Sequence, residues 1–310
     1  MLGVEGLTLT PADRGRLADP RVGGVILFRR NYVSTAQLSA LTNDIRDLRK
    51  PALLIAVDHE GGRVQRFQDG FTLIPPMRTL GEQFDRDRDG ALAAAERWGR
   101  LIAAELRACG VDFSFTPVLD IDAGKSAVIG HRAFHLDARA VGAVAGALCR
   151  GLHAGGMATV GKHFPGHGHV AADSHVALPI DPRTFDEIAA NDLVPFAELS
   201  RARLLDAVMP AHIVYPAFDS APAGFSSRWL QDVLRGQIGF DGMIFSDDLE
   251  MAGAHGAGDI VARADAAVDA GCDMVLVCND FSAMDALLAR WSPTVSPTQQ
   301  QRMERMRRRA

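Results

Sequence analysis

Short apolar runs alternate with longer amphipathic stretches along almost the whole chain, and that alternation leaves few folds open. Residues 24–28 (G-V-I-L-F) and 53–57 (L-L-I-A-V) are apolar throughout. Strands covered on both faces have this pattern; half-exposed strands alternate. Between these runs, Ser34 opens a predicted helix through about Leu48, with Leu38, Leu41, Ile45 and Leu48 on one face. Further strands are predicted at 113–118, 157–160, 207–209, 243–245 and 273–277. Residues 6–9 are a weaker first member, ahead of a helix start at Thr10, Pro11 and Asp13. Predicted helices cover 91–108, 141–154, 185–202 (with Pro195 as an irregularity), 229–236 and 260–270. Eight strands, most followed by a helix, predict an α/β fold: a single-domain (β/α)8 barrel of the TIM type. A doubly wound open sheet is the alternative, weakened because no G-x-G-x-x-G or P-loop sits at a strand–helix turn. The expected barrel covers residues 1–295. Residues 296–310 are read as a polar, basic tail, a frayed helix end carrying five arginines from Arg302 to Arg309.

Composition narrows the function classes. A 47% hydrophobic fraction supports one large core in 310 residues. Net charge is −5 with both signs interspersed, so neither nucleic acid nor an anionic membrane is an expected partner. No apolar run reaches the roughly 18 residues of a membrane span, and the start shows no basic segment followed by an apolar one. Cys109, Cys149, Cys272 and Cys278 are far apart and form no C-x-x-C, which suits free thiols in a reducing compartment. A cytoplasmic monomer with no cofactor is the expectation.

Residues 161–175, G-K-H-F-P-G-H-G-H-V-A-A-D-S-H, hold four of the ten histidines. Pro165, Gly166 and Gly168 force a loop after the fifth strand. Three readings compete. As a metal site, His163, His167 and His169 have workable spacing, but Pro165 and Gly166 exclude a helical i, i+4 pair and no cysteine is near. As a polar cap, the loop has no chemistry. As an acid/base loop, Asp173 orients and charges His175. The third is preferred, because polar residues recur at the other strand ends: Asp58, Arg132, Lys162 and His163, His212, and the pair Asp247 and Asp248. In a barrel these ends share one face.

Asp58 either accepts hydrogen bonds from ligand hydroxyls or caps a helix. Arg66 and Arg132 either fork onto polar groups or form structural salt bridges. Lys162, directly after a buried strand, needs a polar destination. Alternation along a strand lets at most one of Asp247 and Asp248 face the barrel mouth. An inward carboxylate can attack an anomeric carbon, and with His175 as a separate proton donor the set meets the needs of retaining glycoside hydrolysis.

With these residues in place, nearly the whole chain resembles glycoside hydrolase family 3, specifically its single-domain β-N-acetylglucosaminidases. The motifs are V-D-H-E-G-G-R-V-Q-R-F at 57–67, I-G-H-R-A-F at 129–134, K-H-F-P-G-H-G at 162–168, D-S-H at 173–175 and F-S-D-D-L at 245–249. The resemblance implies Asp247 as nucleophile and Asp173 with His175 as an acid/base dyad. It implies that Asp58, Arg66, Arg132, Lys162 and His163 bind the N-acetylglucosamine, with His212 and Asp248 behind them. The implied substrate is N-acetylglucosamine linked to 1,6-anhydro-N-acetylmuramic acid, with or without peptide, in cytoplasmic cell-wall recycling. His59 stands where glutamine is commoner and His131 where aspartate or asparagine is commoner; both flank sugar-binding positions. The Gly/Pro-rich loop is expected to swing the dyad into the pocket. Rival classes are a phosphorylase on the same site, a metal hydrolase and a non-catalytic sugar-binding barrel.

Overall fold

The computed structural model describes residues 1–171 and 178–307. Its strands in chain order are β1 (Gly24–Leu27), β2 (Leu54–Val57), β3 (His59–Gly61), β4 (Val64–Gln65), β5 (Phe113–Ser114), β6 (Val160–Phe164), β7 (Ala207–Pro210), β8 (Val214–Tyr215), β9 (Asp219–Pro222), β10 (Met243–Asp248) and β11 (Met274–Leu276). The fold is mixed α/β. One parallel sheet has the order β1-β2-β5 and another the order β11-β10-β7-β6. The pairs β3/β4 and β8/β9 are antiparallel ribbons in the connections. Single parallel bridges link the two sheets: Phe113 with Ala158 and Val118 with Lys162 on one side, and Leu2 with both Val25 and Val277 on the other.

β1, β2 and β7 are buried at every residue, which is why their sequences do not alternate. Inside, Phe113 and Phe115 meet Phe245, with ring centroids 5.3–5.6 Å apart. Phe113 belongs to one sheet and Phe245 to the other, so both sheets face a common aromatic interior. Helices Thr35–Asp47, Arg88–Ala108, Ala138–Ala154 and Ile260–Ala270 follow the predicted pattern, each opened by a Ser or Asp side-chain cap.

Three expectations are corrected. Residues 6–9 are not a strand, and Leu7 is 40% exposed. The pairing position belongs instead to Met1–Gly3: Leu2 N–H donates to the Gly24 carbonyl and Gly3 N–H to that of Val277. Residues 185–202 are two helices, Phe185–Ala190 and Leu193–Arg201. The break falls at Asn191–Asp192, where buried Asp192 accepts from Arg183 at 2.7 Å. Pro195 lies in the first turn of the second helix, where it displaces no hydrogen bond. The helix expected at 229–236 is present as Arg228–Gln237, wound as a π-helix. Finally, the basic segment up to Arg307 is not frayed. Ser296 caps helix Pro297–Arg305, Arg302 pairs with Asp273 at 3.1 Å, and Met306 is fully buried.

Candidate active site

The site forms where β2, β6 and β10 end. Asp58 directly follows β2, and two residues on, Glu60 lies in β3. Lys162 in β6 is 3% exposed; its ammonium donates to Asp58 Oδ1 at 2.7 Å and lies 2.6 Å from Glu60 Oε1. Arg132, on a 3-10 turn, forks onto Glu60 with two contacts of 2.8 Å. Arg66 reaches Asp58 Oδ2 at 3.4 Å. These residues, with His163, His167, Asp247 and Asp248, line one cavity of about 610 Å³.

Burial alone would neutralise these groups, but their mutual attraction outweighs it. Burial opposes the Lys162 charge, yet Asp58 and Glu60 hold its pKa above the usual lysine value. Burial likewise opposes ionisation of Glu60 and Asp58, while Arg132 and Lys162 for Glu60, and Lys162 and Arg66 for Asp58, depress both pKa values. The wall is therefore an array of fixed charges of both signs. Such an array binds hydroxyl and amide groups by charge-assisted hydrogen bonds and suits a neutral, polyhydroxylated ligand.

Asp247 stands at the end of β10, its Oδ1 accepting from the Asp248 N–H at 2.8 Å. Asp248 is pushed up to about 7 by burial, then by the negative charges of Glu250 and Asp247. At most one of this pair is expected to point into the barrel mouth; both residues line the cavity. The β10–β11 register shifts between Phe245 and Asp248, which breaks strict alternation. Neighbouring Lys162 and His163 also both line the cavity, and the β6–β7 register shifts between Lys162 and Phe164.

Asp58, Arg66, Arg132, Lys162, His163 and Asp247 thus share one cavity. Asp173 and His175 lie outside the described residues; of the Gly/Pro-rich loop expected to carry them, the described part runs to residue 171 and includes Pro165, Gly166 and Gly168. His212 is fully buried beside Phe225 and is not part of the cavity lining. Nor are the two departures from the family pattern: His131 is exposed, and His59 packs among Phe67, Phe71 and their neighbour Tyr32. Burial lowers the His59 pKa to about 4.

Glu60 and Asp120 were not singled out from the sequence. Glu60 shares the i, i+2 phase of Asp58, which is a usable signal; Asp120, after the apolar pair Val118 and Leu119, has only its position at a strand end. Among the described residues no group of three or more His, Cys, Asp or Glu side chains is placed to hold a metal ion. No described helix is long and apolar enough to cross a membrane.

Comparison with known proteins gives a consistent picture. The family model "Glycosyl hydrolase family 3 N terminal domain" matches residues 4–308. A β-hexosaminidase of Chromobacterium violaceum is 62% identical over 306 residues, 99% of this chain and 85% of that protein. One of Bordetella avium is 59% identical over 295 residues, 95% of this chain and 84% of that protein. The crystal structure of native NagZ from Neisseria gonorrhoeae superimposes with a TM-score of 0.94 at 51% identity, covering 99% of this chain and 89% of that one. The same protein in complex with N-trifluoroacetyl-D-glucosamine gives 0.95 at 50% identity, with the same coverage.

Proposed function

Because the chain belongs to glycosyl hydrolase family 3, and is thus a glycoside hydrolase, we propose that it is a retaining exo-β-N-acetylglucosaminidase. The observation that carries the reading is the cavity itself. A carboxylate, Asp247, lies at a strand end and lines the same cavity as the paired charges Asp58, Glu60, Arg132 and Lys162. The β-hexosaminidase name of relatives near 60% identity, and the N-acylated glucosamine held by the Neisseria gonorrhoeae protein, support the sugar class.

In this reading Asp58, Arg66, Arg132, Lys162 and His163 hold the N-acetylglucosamine ring. An Asp247 oxygen attacks the anomeric carbon, forming a glycosyl–aspartate ester as the C1–O bond to the leaving group breaks. His175, charged beside Asp173, gives its proton to the departing oxygen. The neutral imidazole then takes a proton from water, which attacks the same carbon and frees both the sugar, in its β form, and Asp247. The two parts played by Asp173 and His175 rest on the family motif D-S-H alone. The substrate we infer is N-acetylglucosamine linked to 1,6-anhydro-N-acetylmuramic acid, with or without peptide, processed in the cytoplasm by a monomer during peptidoglycan recycling. The edge bridges at Leu2, Phe113 and Val118 support a closed (β/α)8 barrel as the frame.

Product analysis tests the reading. The purified chain is incubated with that disaccharide and with an aryl N-acetyl-β-glucosaminide, with and without phosphate. Free N-acetylglucosamine, β anomer first, is expected in both buffers. Release of the α anomer first, of a sugar 1-phosphate, or of nothing would overturn it.

A further inference from the structure

Lys162 and Arg132 draw Asp58 and Glu60 into a charge network, but the third carboxylate near this wall has different partners. Asp120 is fully buried, and its Oδ1 accepts from two backbone N–H groups, those of His163 at 3.2 Å and His167 at 2.7 Å. Its Oδ2 lies 2.6 Å from His163 Nδ1. The next residue is locked to the same loop, because a Cβ on Gly168 would sit 1.7 Å from the Ile121 carbonyl oxygen. The two imidazoles this arrangement holds lie 5.8 Å apart and both line the cavity. Burial raises the cost of charge on Asp120, but the His163 ring and the His167 N–H outweigh it, so the carboxylate stays ionised. An ionised carboxylate only accepts, so the proton of this bond belongs to Nδ1.

We infer that Asp120 is a positioning residue that fixes His163 as the Nδ1–H tautomer, leaving Nε2 as the ring's acceptor for a hydroxyl or amide N–H of the ligand. A neutral imidazole has one donor and one acceptor, and whichever bond one nitrogen makes sets the sense of the other. Without Asp120 the ring has no reason to prefer either sense. With it, the neutral ring presents an acceptor to the cavity that Lys162 also lines, and a sugar hydroxyl can accept from one and donate to the other. The inference rests on the sugar-binding reading of the cavity only for the identity of the ligand; the tautomer stands on geometry.

Asp120→Asn separates this role from a merely structural one. The amide keeps an oxygen for the two backbone N–H groups but offers its NH₂ to Nδ1, which reverses the tautomer. In the wild type, ¹⁵N spectra of the imidazoles, with the His163 signal identified by its loss in His163→Ala and the pH raised until the ring is neutral, are expected to show Nδ1–H. In Asp120→Asn they are expected to show Nε2–H, with kcat/KM on the aryl glycoside lower by on the order of 10²-fold from the mismatched donor. In a His163→Ala background, Asp120→Asn is expected to cost no more than about twofold, because it acts through that ring. An Nε2–H signal in the wild type overturns the inference, as does an equal loss in both backgrounds. If Asp120→Asn does not fold, the wild-type spectrum still decides. If the wild type hydrolyses no glycoside, the functional reading fails while the spectrum continues to judge the tautomer.

Discussion

Glu60→Gln is the most informative perturbation of the charged wall. Glu60 is 2% exposed and accepts from Arg132 twice at 2.8 Å, with Lys162 Nζ a further 2.6 Å away. The substitution keeps the side chain's shape but removes the charge and turns one acceptor into a donor facing a cation. Breaking a buried pair costs about 3–5 kcal/mol; here Lys162 keeps Asp58, so the lower end, about 3 kcal/mol, applies. With an unfolding entropy of about 2.1 cal/mol/K per residue, a chain of 310 residues lowers its Tm by roughly 5 °C for that loss. Arg132 and Lys162 also lose their common anchor, and a displacement near 1 Å in such a site costs about 10²-fold in kcat/KM. The sign with pH follows from the depressed Glu60 pKa. Its stabilisation is fully present above the ordinary glutamate value of about 4.3 and fades as pH falls through the lower folded value. The stability gap between wild type and Glu60→Gln should therefore be constant at neutral pH and narrow in strong acid. Calorimetry across pH and steady-state kinetics on an aryl N-acetyl-β-glucosaminide check both halves. A variant with wild-type Tm and kcat/KM within threefold would refute the claim that Glu60 organises the two cations.

Other outcomes follow from the same chemistry. Asp247→Ala should cut turnover of the aryl glycoside by at least 10³-fold, about 4 kcal/mol of barrier; survival within about tenfold would remove Asp247 from the nucleophile's role. His175→Ala should slow the natural disaccharide more than an activated aryl glycoside, whose leaving group needs little protonation, and equal losses on both would count against an acid role. His59, with no hydrogen-bond partner for either ring nitrogen among the described residues and a pKa lowered to about 4, is buried in its neutral form. Its contribution is present above the ordinary histidine value of about 6.5 and is lost as pH falls through about 4. His59→Phe should flatten the acid side of the stability curve in that window without lowering kcat/KM more than about twofold. Parallel wild-type and variant curves in urea unfolding would show that the ring is not held neutral.

Burial period is a local property, so the sequence by itself determined where strands β1, β2, β7 and β10 run and which helices follow them. Chemistry-bearing residues at strand ends are local too, and Asp58, Lys162, His163 and Asp247 could be picked out one by one. Partnership is not local. Lys162 meets Asp58 across 104 residues, Arg132 meets Glu60 across 72, and His163 meets Asp120 across 43. No periodicity encodes those meetings, so the partners of Glu60 and Asp120 are set by the folded chain even where, as for Glu60, the i, i+2 phase marks the position. Register shifts in β10 and β6, at two pairs of adjacent residues that line the cavity, are likewise features that no local period announces. The first strand position went to Met1–Gly3 over Gly6–Leu9 because backbone partners on both sides, at Gly24 and Val277, were there to receive it. Only the folded chain, by bringing distant carbonyls and carboxylates within hydrogen-bond reach, decided those matters.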